Sequence, residues 1–301
     1  MSIKKQSLRF LLRAAKELNL DGKIPDKLYL EMMYRRVFDK SLDLTNPKSF
    51  NEKLQWMKLY YRDPLYTMLV DKYAVKQYVL DKAGDAGLKV IPTLGVWENF
   101  DDIDFSKLPN QFVLKTTHDS GSVCICKDEM TFDKVRAKKV LTKSLHHNYY
   151  LNDREWPYKD VPRRIIAEKY MVDESGVELK DYKFFCFKGE PKLMYIATDR
   201  GIDTRFDYFD INFNHLPFKQ GFANSEKKIE KPRAWEKMIE ISRILSNGIP
   251  HVRVDLYDIC GEVYFGEYTF YHNSGFTPFE PEEWDYKIGN YFELPSPINN
   301  Q

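Results

Sequence analysis

The stretch RVDLYDICGEVYFGEYTF, Arg253 to Phe270, constrains the fold more than any other part of the chain. Val252, Val254 and Leu256 alternate with Arg253, Asp255 and Tyr257, and Phe265, Glu267 and Thr269 share one face of the following segment. Alternation of period two on both sides of a glycine-containing turn predicts an antiparallel β-hairpin. Register then decides the chemistry. If Ile259 pairs with Val263 across Cys260-Gly261-Glu262, Asp255 falls opposite Glu267. A two-residue loop shifts the register by one and separates the acids, so bringing them together requires an odd loop or a bulge. Two carboxylates on one face repel each other, and they become useful together when a cation such as Mg²⁺ sits between them. A cross-strand Arg253–Glu267 ion pair is the competing reading, and it leaves Asp255 without a role.

The rest of the chain is organised around such strands. Residues 1 to about 85 read as helical: LYLEMMYRRVF and SFNEKLQWMKLYY carry apolar residues at spacings of three and four. Ser49, three residues before Glu52 and just after Pro47, marks a helix start with a capping box. LKVIPTLGVW predicts a short strand broken by proline. Strands follow over Phe112–Lys115 and Val123–Cys126, then a helix over FDKVRAKKVLTKSLHH, a strand in RRIIAEKYMVD, and a hairpin turning at Gly189. RAWEKMIEISRILS predicts one more amphipathic helix. Helices first, then mixed antiparallel strands and helices, give an α+β class, divided into a helical region over residues 1–85 and a strand-rich region over 86–301.

Composition narrows the function classes. The 301 residues carry a net charge of only +1, which does not indicate a broad nucleic-acid-binding surface. No apolar run approaches the roughly 18 to 20 residues that span a bilayer. Cys124, Cys126, Cys186 and Cys260 form no CxxC pair and lie in strand-like runs, which predicts reduced core thiols and a cytoplasmic setting. The N-terminal segment MSIKKQSLRFLLRAAKELNL is basic and amphipathic. It reads either as a helix packed on the body or as a surface helix that rests on the inner face of a membrane or on an assembly partner.

Four short segments carry candidate chemistry. Lys115 ends an apolar strand and opens the loop TTHDSGS, where charge and the backbone N–H groups of Ser120, Gly121 and Ser122 can meet a phosphate. An ordinary hairpin turn with a solvated lysine explains the same residues. Glu168, Lys169 and Tyr170 stand at the end of a strand that can offer its polar edge to a purine, or simply turn. Asp181 and Lys183 share a strand face, suited to ribose hydroxyls and phosphate, or to a surface ion pair. Asp255 and Glu267 complete the set. Separately, NYYLNDREWPYKDVPRR combines Arg154, Arg163 and Arg164 with Tyr149, Tyr150 and Trp156, a mixture suited to an acidic saccharide or to a solvated loop.

Taken together and in this order, DKYAVKQYV…AGLKVIPTL, FVLKTTHDSGS, IIAEKYM…ELKDYKFFCF and RVDLYDICGEVYFGEYTF resemble the ATP-grasp superfamily. The chain more closely resembles its TupA-like family, which is associated with bacterial surface-polysaccharide synthesis. The resemblance runs from about Ser49 to Pro295 and makes residues 86–301 the ATP-grasp lobes. It implies ATP and Mg²⁺ as cofactors. Lys72 and Lys115 would contact phosphates, and the 116–122 loop would close over the terminal ones. Glu168 and the backbone near Tyr170 would hold adenine, Asp181 would bind ribose, and Asp255 and Glu267 would bind Mg²⁺. Arg253 would meet the transferred phosphate. Thr269 stands where the family-like pattern has an asparagine, and the nearest amide is Asn273, which puts a third metal ligand in doubt.

The function this implies is a carboxylate–amine ligase acting through an acyl-phosphate, on an acidic saccharide or similar carboxylate and an amine, in surface-glycan or cell-wall modification. A glycosyltransferase using a nucleotide sugar and an ATP-dependent sugar phosphotransferase are the enzymatic alternatives. A nucleotide-binding assembly factor is the non-enzymatic one.

Overall fold

A computed structural model describes residues 20–174, 176, 179–199 and 203–298, so the basic N-terminal segment lies outside the described residues. The described chain opens with helices α1 (Asp26–Phe38), α2 (Phe50–Tyr60), α3 (Leu65–Val70) and α4 (Val75–Ala83). Helix α2 starts where the capping box predicts. The Ser49 hydroxyl accepts from the Glu52 N–H, and the Glu52 carboxylate accepts from the Ser49 N–H. Phe50, Leu54 and Met57 turn one stripe of α2 into the main core. Gln55 and Lys58, polar residues of the same helix, are buried as well.

Two sheets follow. Strands β2 (Thr93–Trp97), β3 (Phe112–Thr116), β4 (Val123–Cys126) and β5 (Ile165–Lys169) form a four-stranded antiparallel sheet in the order β2-β5-β3-β4. Strands β1 (Lys89–Val90), β6 (Asp181–Phe187), β7 (Glu190–Thr198), β8 (Arg205–Asp210), β10 (His251–Ile259) and β11 (Glu262–Thr269) form a six-stranded sheet in the order β1-β11-β10-β6-β7-β8. The segment read as one interrupted strand is shared between them. Lys89–Val90 runs parallel to β11, while Thr93–Trp97 joins β5. Pro92 sits at the crossing, where its missing N–H costs no ladder bond.

Helix α5 (Lys134–Leu145) covers the four-stranded sheet with Ala137 and Leu141. A four-residue helix, α6 (Tyr150–Asp153), follows it. Helix α7 (Trp235–Ser246) sends Met238, Ile241 and Leu245 into the larger core beside the six-stranded sheet. Every residue of β6 is buried, which marks it as that sheet's centre. A small pair, β9 (Lys219–Gln220) with β12 (Phe279–Glu280), and helix α8 (Glu283–Tyr291) complete the α+β fold. Among the described residues, no helix is long and apolar enough to cross a membrane.

The β10–β11 hairpin departs from the expected turn. Ile259 pairs with Glu262, not with Val263, so the loop has two residues, Cys260 and Gly261, with φ of 55° and 86°. Two successive positive φ values are those of a type I′ turn, the two-residue turn whose twist matches its strands. Asp255 nevertheless pairs with Glu267, because the register shifts between Asp255 and Leu256 and leaves Gly266 as the extra residue. A Cβ at Gly266 would stand 2.9 Å from the Asp255 carbonyl oxygen and 3.2 Å from the Tyr257 ring. Glycine there is what lets the bulge close. All four cysteines are free thiols; Cys126 and Cys186 are buried as expected, whereas Cys260 is exposed in the turn and not in a strand.

Candidate active site

A cavity of about 470 Å³ takes its walls from both sheets. Its floor is one face of the six-stranded sheet. Strand periodicity puts Asp181 and Lys183 of β6, Tyr195 of β7, Arg253 of β10 and Glu267 and Thr269 of β11 on that face.

Arg253 is the fixed point of the floor. Its Nε and Nη2 donate to the two oxygens of Asp255, both at 2.7 Å, and Nη2 also donates to Thr269 Oγ1 at 2.8 Å. Its Nη1 donates to His272 Nδ1 at 2.8 Å, so His272 carries its proton on Nε2 and donates it to Gln220 Oε1. Burial and the Arg253 charge hold the His272 imidazole well below its usual range, which keeps it neutral. Lys183 Nζ also bonds Asp255 and lies 3.6 Å from Asp181. Burial pushes the Asp255 carboxyl up, but Arg253 and Lys183 outweigh it and hold the group below the ordinary aspartate value. The same balance, with Asp181 and Asp255 outweighing burial, raises Lys183.

The two acids of the opening hairpin therefore meet as register partners but differ in state. Asp255 is fully buried and gives both oxygens to cations, whereas the Glu267 side chain is 43% exposed and lies 3.5 Å from Arg253 Nη2. Among the described residues no cluster of three or more His, Cys, Asp or Glu is arranged to cage a metal ion. The donor set fits a divalent cation that arrives on phosphates and meets Glu267, the mode usual for Mg²⁺.

The opposite wall comes from the four-stranded sheet and the loop after β3. Asp119 organises that loop. Its carboxylate accepts from the hydroxyls of Thr116 and Ser122, both at 2.6 Å, and from that of Ser144 on α5. Lys72 donates to the Asp119 carbonyl, and the Thr117 N–H donates to Arg164 O at 2.9 Å. This knitting leaves Ser120 and Gly121 at the cavity edge, with Gly121 at φ 97°. Ser122 is turned inward to Asp119. His118 donates from Nε2 to the Ser144 carbonyl at 3.1 Å, so it secures the loop to α5.

Glu168 is buried between two lysines, with Lys76 Nζ at 2.5 Å and Lys115 Nζ at 2.6 Å. Burial raises the Glu168 carboxyl, but Lys115 and Lys76 outweigh it and hold the group below its ordinary value. Lys115 thus spans from Glu168 to the cavity. Lys169 and Tyr170 stand at the end of β5, outside the cavity lining; Lys169 is exposed, and Lys127 lies 5.9 Å from the Tyr170 ring centre.

The remaining wall combines residues 149–158 with the strap that follows β11. The proposed saccharide set of that first segment separates. Tyr149 lines the cavity, but Arg154 lies over the Tyr29 ring and pairs with Asp26, and Arg164 pairs with Asp71. Arg163 is exposed and Trp156 is buried near Tyr66. Those cations serve packing between elements. Glu155, which sequence reasoning passed over, lines the cavity with Tyr158, Tyr271, Asn273 and Ser274. No spacing or motif singles it out, since its role depends on which way a loop residue turns.

A family profile described as TupA-like ATPgrasp matches residues 52–293. No curated protein matches the chain. Similar solved structures include a D-alanine–D-alanine ligase from Bacillus anthracis complexed with ATP, 17% identical, covering 67% of this chain and 54% of that one, with a TM-score of 0.39. The D-alanine–D-alanine ligase from Helicobacter pylori is 18% identical, covering 82% and 70%, with a TM-score of 0.40. N5-carboxyaminoimidazole ribonucleotide synthetase from Thermus thermophilus is 10% identical, covering 70% and 48%, with a TM-score of 0.39. The chain spans about half the length of the Bacillus anthracis enzyme.

Proposed function

The chain belongs to the TupA-like ATP-grasp family, and on that premise we propose that it is an ATP- and Mg²⁺-dependent ligase that joins a carboxylate to an amine. The observation that carries this reading is the cavity between the sheets, where Lys72, Lys115, Lys183 and Arg253 converge from opposite walls. Four cations facing a common space suit a polyphosphate and the charge that moves with a transferred phosphoryl group.

In this reading Lys72 and Lys115 hold the phosphates, and the Asp119-braced loop presents the N–H groups of Ser120 and Gly121 over them. Asp181 accepts from ribose hydroxyls. Glu168 orients Lys115, and the backbone around Lys169 and Tyr170 borders the base. Glu267 is the carboxylate open to Mg²⁺, with Asp255 beside it, and the metal when bound neutralises phosphate charge. Arg253 is held rigid by Asp255, Thr269 and His272, so it meets the transferring group without reorganising. The acceptor carboxylate takes the terminal phosphoryl group, giving an acyl-phosphate and ADP. The amine then attacks the carbonyl carbon, the bond to the phosphate oxygen breaks, and phosphate leaves. A role in surface-glycan or cell-wall modification is the setting we propose for it.

Nucleotide-dependent thermal stabilisation tests the reading. ATP, UDP-sugars and GDP-sugars are compared with and without Mg²⁺, on the wild type and on Glu267→Gln. Glu267 is chosen because removing Asp255 would take from Arg253 and Lys183 the buried carboxylate that both bond. A Mg²⁺-dependent rise with ATP alone, reduced in Glu267→Gln, is expected. A rise with a nucleotide sugar alone would replace the ligase with a glycosyltransferase.

A further inference from the structure

Glu155 is a buried carboxylate that no cation contacts among the described residues. Its residue is 7% exposed, and the carboxylate's one hydrogen bond there is accepted from the Ser274 hydroxyl at 2.5 Å on Oε1. The buried Lys58 nearby is the charge that acts most on it, but gives two of its three protons to the carbonyls of Asp153 and Ser274, both at 2.8 Å. Arg154, next in the chain, turns to Asp26 and Tyr29. Burial outweighs Lys58 and the Ser274 hydroxyl and raises the Glu155 carboxyl to about 7, so its charged form is only partly compensated and persists where something further offsets burial.

The surroundings indicate what that something is. Tyr149, Tyr158 and Tyr271 line the cavity with Glu155, Lys58 lies 5.7 Å from the Tyr271 ring centre, and the Tyr149 and Tyr158 rings stand edge to face with centres 4.9 Å apart. Tyrosine faces attract cations, most strongly where water is scarce. The strap is forced into place as well. Asn273, Ser274 and Gly275 have φ of 47°, 53° and 63°, three left-handed residues in succession. Gln55 Nε2 donates to the carbonyls of Ser274 and Gly275, and Lys58 holds that of Ser274. Strain of this kind collects at functional sites, and here it delivers the Ser274 hydroxyl to Glu155.

We propose that Glu155, boxed by Tyr149, Tyr158 and Tyr271, is the binding site for the ammonium group of a primary-amine co-substrate. The inference rests on the ligase reading for the identity of that amine as a reactant. A neutral sugar hydroxyl adds no charge against burial, whereas an ammonium adds a second cation beside Lys58 and favours the ionised carboxylate. The cavity is then polar along its length. Lys72, Lys115, Lys183 and Arg253 repel an ammonium and attract phosphates, while Glu155 does the reverse, so the two co-substrates are held by different groups of the one cavity.

Saturation-transfer NMR on the whole chain tests this, with glycinamide as the amine probe and propionamide as its uncharged isostere. Wild type is expected to bind glycinamide at least tenfold more tightly than propionamide. Glu155→Gln, which keeps the shape and can still accept from Ser274, is expected to lose that preference. Tyr149→Leu, which leaves the carboxylate and Lys58 intact, is expected to weaken glycinamide severalfold. Equal binding of the two probes to wild type, or an undiminished preference in a cooperatively folded Glu155→Gln, would overturn the proposal. If Glu155→Gln does not fold, unchanged glycinamide binding by Tyr149→Leu overturns it instead. Stabilisation of the wild type by ATP with Mg²⁺ is read separately. Its absence beside a retained glycinamide preference sinks the ligase reading and leaves the ammonium site standing.

Discussion

Lys115 and Arg253 face one cavity from two sheets, and their surroundings differ in kind. Lys115 belongs to the four-stranded sheet, is partly open to solvent, and shares the carboxylate of Glu168 with a second lysine. The loop beyond it is held by small hydroxyls around Asp119, which also lie within hydrogen-bond reach of one another. Arg253 belongs to the six-stranded sheet, is nearly inaccessible, and is fixed by Asp255, Thr269 and His272 at once. One wall can adjust to a ligand. The other is set before the ligand arrives.

Asp255→Ala should break the rigid wall. It takes from Arg253 and Lys183 the buried carboxylate that both bond, leaving Glu267 at 3.5 Å and Asp181 at 3.6 Å, and loss of one partner in a buried pair costs about 3–5 kcal/mol. Urea denaturation should show that loss, and a change under about 1 kcal/mol would mean the floor is not held by its charges. Glu168→Gln is the matching cut in the other sheet. Its two lysines can each reach water, so the expected loss is smaller, about 1–3 kcal/mol. Acid should act on both walls with the same sign. Asp255 and Glu168 are held below their ordinary values, so their contributions are complete above about pH 4 and are lost as pH falls through the depressed values. The two variants should accordingly show a flatter stability profile in acid than the wild type.

Asp119→Ala isolates the adjustable wall. The hydroxyls of Thr116, Ser122 and Ser144 already lie within reach of each other, so global stability should change little. Affinity for ATP should fall roughly tenfold, about 1.4 kcal/mol, read by titration calorimetry. If the melting temperature falls sharply and affinity does not, the loop is a structural plug and not a lid. The smallest effect is expected far from both walls. Cys260→Asn places the residue preferred in a type I′ turn before Gly261 and should stabilise the hairpin by about 0.5 kcal/mol. Thermal melts should show the gain with ATP binding unchanged.

Legibility followed the same division. The β10–β11 pairing, the capping box at Ser49 and the turn at Gly189 come from local periodicity and turn chemistry, and the structure holds all three. The face shared by Asp181, Lys183, Arg253 and Glu267 follows from period two once the sheet order is known. What local sequence does not express is a choice between equivalent routes. A two-residue turn with a bulge at Gly266 and a three-residue turn both bring Asp255 opposite Glu267, and the chain takes the first, with Gly266 packed against the Asp255 carbonyl and Tyr257. Strand β8 is hard to read because only Phe206 and Tyr208 alternate with Arg205 and Asp207 before Phe209 breaks the period, too short a run to mark an edge strand. Arg154 looks like a ligand-binding cation in sequence and is spent on Asp26, more than a hundred positions away. Glu155, its neighbour, is the residue that turns inward.

Because Pro92 sends residues 89–90 to β11 and residues 93–97 to β5, a growing chain completes its two sheets at different times. The four-stranded sheet needs nothing beyond Ile165–Lys169 and can close as soon as that strand emerges. The six-stranded sheet has its first strand made early and its second neighbour, Glu262–Thr269, made almost last. Until then Leu88, Val90 and the open edge of β10 lack their partner strand, the kind of exposed apolar edge that invites misassembly. A nascent chain arrested before residue 262 would therefore hold a finished roof over an open floor.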